Sequence, residues 1–147
     1  MSLVGPRPQV MLDARLYTEA ENRMLTVRPG ITDPASIVFS DEGDILKGCN
    51  EPDLLYNRII RPWKSRLGLA YISRATVALD LRIVALTLLS ACSRRRALDE
   101  VGKLLSAWNV DPMVRQAALR SAPLRPYPPP GASEVASHYP RQEAASA

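Results

Sequence analysis

Residues 76–96 read TVALDLRIVALTLLSACSRRR, the most apolar stretch of the chain. Thr76 is placed as an N-cap, so the stretch predicts a long helix, and the surroundings of that helix decide the fold. Between Arg74 and Arg94 lie 19 residues, close to the roughly 20 that cross a bilayer. Asp80 and Arg82 divide them and leave Ile83 to Cys92 as the uninterrupted apolar run. A charge near the middle of a membrane helix costs about 2.5–3.5 kcal/mol, so a span is disfavoured. The helix is expected either to be buried or to lie at an interface with Arg94, Arg95 and Arg96 toward lipid phosphates.

The segments on either side are also helical in pattern. After the arginines, ALDEVGKLLSAW repeats apolar residues at Leu98, Val101, Leu104, Leu105 and Trp108, an amphipathic helix with a polar outer face. Before Thr76, Asn50 is a candidate cap for a helix from Glu51 to about Ile60, and Pro62 suits the first turn of PWKSRLGLAYIS. Arg58, Arg61, Lys64 and Arg66 surround Trp63 in RIIRPWKSR. That group reads equally as a headgroup-level anchor or as a solvated helix face with Trp63 in the core.

Nearer the start, Thr18 and Glu21 form a capping-box pattern that opens the helix EAENRML. Leu25–Arg28 and Ala35–Phe39 are expected as two short extended pieces around turns at Pro29-Gly30 and Asp33-Pro34. Ser40, Asp41 and Glu42 can cap the acidic helix DEGDIL. Asp41, Glu42 and Asp44 suit the solvated first turn of such a helix better than a metal or acid–base cluster. From Ser121 onward the sequence holds six of the 13 prolines and has no apolar period, which predicts a disordered or extended tail. The fold class expected is mainly α, with several short amphipathic helices and a small extended or hairpin element near residues 25–39.

Charge is unevenly divided. Residues 1–56 carry five Lys/Arg against nine Asp/Glu, whereas residues 57–125 carry thirteen against four, which would draw the second part to an anionic surface. Nucleic acid is the weaker choice of such a surface, because aromatic residues are only 5% and no binding motif is present. Cys49 and Cys92 are far apart in sequence, as expected of reduced thiols in a cytoplasmic setting. The sole histidine, His138, lies in the tail, which excludes Ser–His, Cys–His and His–metal chemistry from the body. No metal-ligating set is expected, and no glycine-rich phosphate loop occurs.

Gly5-Pro6-Arg7-Pro8 stands apart from these patterns. Two prolines fix φ near −65° around Arg7 and push their preceding residues out of the helical region, so the tetrapeptide is a stiff bend. It reads either as plain loop punctuation or as a mount that offers one guanidinium to phosphate or carboxylate with little entropy left to lose.

MSLVGPRP, then YTEAENRMLTVRPGITDPASI, then YISRATVALDLRI, in this order and spacing, resemble the C-terminal part of the bacterial sugar transferases, the monotopic phosphoglycosyl transferases. The resemblance covers roughly residues 1–92, followed by a basic helical extension over 93–120 and a Pro/Ala/Ser-rich tail over 121–147. It implies transfer of a sugar 1-phosphate from a nucleotide diphosphate sugar to undecaprenyl phosphate in exopolysaccharide, O-antigen or glycan assembly. It also implies magnesium as cofactor and the cytoplasmic face of the bacterial inner membrane as location. By the same resemblance Arg7, within Gly5, Pro6 and Pro8, meets substrate phosphate, and Arg28, Pro29, Gly30 and Thr32 form a loop beside the active site. Asp33-Pro34 replaces the family's usual Gly-aromatic pair, a departure that bears on sugar choice. Asp80 is expected to be structural, bonded to local backbone or to a basic group.

The family's catalytic Asp-Glu pair, in a Leu-Asp-Glu-Leu-Pro segment, has no counterpart among the 147 residues, and neither does its re-entrant membrane helix. No catalytic residue is therefore assigned. Met1 aligns with an internal methionine of the pattern, so the chain is expected to act as a fragment that binds no magnesium and is inactive alone. The rival expectation is a non-catalytic helical module for anionic membrane or nucleic acid. Arg58, Arg61, Trp63, Lys64, Arg94, Arg95 and Arg96 are the membrane-interface candidates.

Overall fold

The computed structural model describes residues 1–7 and 11–140. It is mainly helical. A short strand, β1 (Ser2–Val4), is followed by α1 (Met11–Arg15), α2 (Glu19–Asn22) and a 3₁₀ turn (Arg23–Thr26) before β2 (Gly30–Thr32). The strands pair in parallel, with Ser2 opposite Gly30 and Val4 opposite Thr32. This corrects the hairpin expected near residues 25–39. A parallel pair needs a crossover, and here residues 11–26 supply it.

Ala35–Phe39, expected as extended, is instead built around a helix, α3 (Pro34–Val38). Asp33 caps it, its Oδ1 accepting from the Ser36 amide at 2.7 Å and the Ser36 hydroxyl at 2.6 Å, and Pro34 fits the first turn. An Asp-Pro step supports a turn or a helix start, and β-branched residues nearby suggested the former. The same step at Asp111-Pro112 starts α9 (Pro112–Leu119), where Asp111 accepts from the Met113 amide at 2.8 Å. The sequence pattern ended one helix earlier.

The remaining elements are α4 (Glu42–Leu46), α5 (Pro52–Leu55), a π-helical turn (Tyr56–Ile60), α6 (Arg61–Ile72), α7 (Val77–Cys92) and α8 (Arg94–Ala107). The Thr18/Glu21 capping box and the Thr76 cap form as their spacing predicts. Asn50 does not cap α5; Glu51 takes that position, with Pro52 following. The arginines do not continue α7, because Ser93 is extended at the junction and α8 turns back against it.

The core gathers Val4 from the sheet, Ile37 and Val38 from α3, Leu67 from α6, Ile83 from α7, and Val101 and Leu105 from α8. α7 lies against the Val4 and Thr32 side of the sheet, where the Thr32 and Thr87 hydroxyls share a hydrogen bond of 2.8 Å. Its opposite face keeps Val77, Leu81 and Leu88 largely exposed. Among the described residues, no helix is long and apolar enough to cross a membrane. The Asp80 side chain, expected to bond local backbone or a basic group, instead has its Oδ1 accept from the Tyr71 hydroxyl at 2.5 Å, and burial followed by that bond raises the Tyr71 pKa.

Residues 121–140 contain no helix or strand, consistent with the extended alternative for their proline-rich composition. They run along the body. The Tyr127 ring stacks on Trp63 with centroids 4.7 Å apart, Arg66 donates to the Pro128 carbonyl at 2.8 Å, and Tyr139 donates to Asp13 at 2.8 Å. Composition gave no sign of these attachments.

Candidate functional site

The Gly5-Pro6-Arg7 bend and the Arg28–Gly30 loop are held together by backbone. Gly5 donates to the Thr32 carbonyl at 2.9 Å, Gly30 to the Pro6 carbonyl at 3.1 Å, and Ser2 to the Pro29 carbonyl at 2.8 Å. Neither glycine has room for a side chain: a Cβ on Gly5 would lie 2.6 Å from the Arg28 carbonyl oxygen, and one on Gly30 would lie 2.1 Å from the Gly5 nitrogen. Both motifs therefore contain glycine at the point where the two chains cross.

Two adjoining cavities of about 400 and 700 Å³ open beside this crossing, and Arg7, Asp13, Ser36, Tyr56 and Lys64 line both. Arg7 is exposed where the bend ends. Lys64 comes from the first turn of α6, with its ammonium 5.3 Å from the Tyr56 ring centroid. Asp33 lines the smaller cavity and is buried. Burial raises its pKa; the two bonds from Ser36 oppose that, followed by the charges of Lys64 and Arg7.

Beneath the cleft a buried network fixes α6. Glu21 accepts from Arg61 Nε at 3.0 Å, from a second Arg61 nitrogen, and from the Ser65 hydroxyl at 2.6 Å, while its other role is to close the Thr18 capping box. Arg61 also donates to Asn57 Oδ1 at 2.9 Å and to the Leu16 carbonyl at 2.6 Å. The Arg61 guanidinium lies 5.5 Å from the Tyr17 ring centroid. One carboxylate buried with one hydrogen-bonded guanidinium is a satisfied pair, which sets the depth at which Lys64 emerges.

The structure separates the sequence-selected residues. Pro6, Arg7, Pro29 and Gly30 line the cleft, and Gly5 supports it from below. Arg28 is exposed and lines neither cavity, while Thr32 is buried and bonds to Thr87. Pro8 lies outside the described residues. Arg61 and Trp63 are buried, so neither serves as an interfacial anchor, and Lys64 belongs to the cleft. Arg94 pairs with Asp41 at 2.9 Å and donates to the Val38 carbonyl at 3.1 Å. Arg58, Arg95 and Arg96 remain exposed. Asp13, Ser36 and Tyr56 carried no sequence signal for the cleft; they meet only through packing. Among the described residues, no group of three His, Cys, Asp or Glu side chains is arranged to hold a metal ion.

The family profile described as bacterial sugar transferase matches residues 1–94. The chain belongs to the bacterial sugar transferase family. No curated protein and no solved structure gives a significant match. For this sugar transferase family member, the matched region contains the whole cleft lining, since every residue of both cavities falls within it. The greater part of α8, α9 and the extended segment follow the match.

Proposed function

We propose that the cleft binds the diphosphate of a nucleotide diphosphate sugar, within a phosphoglycosyl transferase that moves a sugar 1-phosphate to undecaprenyl phosphate. The observation that carries this reading is the glycine crossing that mounts Arg7 beside a cavity with a second cation, Lys64. A guanidinium on a backbone with φ preset by Pro6 offers two parallel N–H donors to phosphate oxygens with little ordering left to do. In the transfer, the bond from the sugar-bearing β-phosphorus to the bridging oxygen breaks, and a nucleoside monophosphate leaves with that oxygen. A new phosphorus–oxygen bond forms to the incoming nucleophile. Arg7 stabilises negative charge on the phosphoryl oxygens during this step.

No step is assigned to a metal ion. The nucleophile is likewise not assigned to any of the 147 residues. The cytoplasmic face of the inner membrane, where the lipid acceptor would lie, is part of the same reading. Its support is the basic second part of the chain and the exposed apolar face of α7.

Calorimetric titration with a panel of nucleotide diphosphate sugars tests the proposal. Arg7→Ala is expected to weaken binding of the preferred donor about ten- to a hundredfold, the worth of one charge-assisted contact. Arg7→Lys should restore part, because the ammonium keeps the charge and loses the fork. Equal affinity in a folded Arg7→Ala protein would refute it.

A further inference from the structure

We infer that Lys64 is a second phosphate-binding residue of the cleft and that Glu42 occupies its ammonium until an anionic ligand displaces it. The inference rests on the cleft being a diphosphate site, and it adds a residue and an exchange to that reading.

Lys64 and Glu42 are set in different ways. Lys64 stands on α6, and its neighbours Arg61, Trp63 and Ser65 are all buried, so its backbone is anchored. Glu42 stands in the first turn of α4, a five-residue helix with no buried residue. The ammonium meets Glu42 Oε2 at 2.5 Å, and both side chains line the larger cavity. Lys64 also lines the smaller one, where Arg7, Ser36 and Asp33 are found. The pair is partly buried and sits at the wall of an anion-sized space.

Charge decides the exchange. A diphosphate carries more negative charge than one carboxylate and has several oxygens with which to engage Arg7 and Lys64 together. Lysine suits the role as a compact point charge on a flexible stem, able to turn from Glu42 toward the cavity without moving α6. Glu42 keeps the ammonium hydrogen-bonded at the cavity wall when no anion is bound, and it acts as an internal competitor that lowers apparent affinity.

The experiment is titration of the full 147-residue chain with inorganic pyrophosphate at low ionic strength, with circular dichroism and a melting curve for each variant. Lys64→Met, which keeps the apolar stem, should weaken binding about ten- to a hundredfold, and Lys64→Arg should stay within about threefold. Glu42→Gln should tighten binding about three- to tenfold by removing the competitor. A folded Lys64→Met protein that binds as tightly as wild type, while Arg7→Ala has lost binding, rejects Lys64 and leaves the cleft reading intact. Unchanged affinity in Glu42→Gln rejects the exchange. If wild type binds no pyrophosphate, both the inference and the cleft reading fall. If Lys64→Met does not fold, Lys64→Arg and Glu42→Gln decide: retained binding in the first with tightening in the second supports the inference, and any other pairing rejects it.

Discussion

Gly5 and Gly30 cross so closely that a Cβ on Gly30 would stand 2.1 Å from the Gly5 nitrogen. The obstruction is backbone, which cannot rotate aside. Gly30→Ala is therefore expected to destabilise the protein by about 3 kcal/mol or more, at the upper end for overpacking. Gly43→Ala is the control: it lies in α4 with no atom within 4 Å of its added methyl and should stabilise by about 0.5–1 kcal/mol. Urea unfolding of both variants checks the contrast.

Glu21→Ala would leave the Arg61 guanidinium buried without its counter-charge. Breaking such a pair from one side costs about 3–5 kcal/mol, so the variant should melt far below wild type or fail to fold. A melting temperature within a few degrees of wild type would show that the network contributes less than its burial implies.

Asp41 links α4 to α8 and α9 through Arg94 at 2.9 Å and Arg120 at 2.8 Å. Burial acts to raise its pKa, but the Arg120 bond and charge, followed by Arg94, hold it below the ordinary carboxylate value. A depressed folded pKa means that the unfolded chain takes up the proton first. The stabilisation is thus complete above the unfolded value near pH 4 and is lost as pH falls through the folded one. Asp41→Asn should flatten the acid limb of stability against pH and lower stability at pH 7. An unchanged acid limb would exclude Asp41 as a contributor.

Tyr127 ties the extended segment to α6 by stacking on Trp63, and to the π-helical turn before it by donating its amide to the Arg58 carbonyl at 3.1 Å. A stacked aromatic pair is worth about 0.5–1.5 kcal/mol beyond its buried area. Tyr127→Ala should speed proteolytic cleavage within residues 121–140 several-fold and change Trp63 fluorescence, with the helical signal retained. Equal cleavage rates would mean that the other attachments suffice.

The outer face of α7 exposes Val77, Leu81 and Leu88 at 77, 66 and 68%. Apolar patches of this kind favour association or adsorption to membranes. Replacing all three with Gln should reduce self-association in sedimentation and adsorption to acidic vesicles. Each change should alter stability by less than about 0.5 kcal/mol, as exposed positions do.

Local signals were legible where the partners are a few residues apart. Thr18 with Glu21 and Thr76 with Leu79 form their caps because hydroxyl, carboxylate and amide lie within one helical turn. Asp33-Pro34 and Asp111-Pro112 carry the same kind of signal, yet a local rule allows them either a turn or a helix start. The packing of α3 on α6 and of α9 on α8 selects the helix. The structure divides the membrane-interface candidates, because spacing places Arg61, Trp63 and Lys64 on one segment but does not say which side meets Glu21, which meets Tyr127 and which meets the cleft.

A mainly helical chain, the Thr18 capping box, the Thr76 cap, the two glycine-bearing loops and the family they mark are legible in the residues alone, because these depend on interactions within one turn or on short motifs. The crossing of the two loops, the answer of Arg61 to Glu21 forty residues away, and the emergence of Lys64 beside Arg7 come from long-range packing. Those pairings join residues far apart in the chain. Their geometry follows from how α3, α6 and α7 pack around the parallel strands, which no local rule specifies.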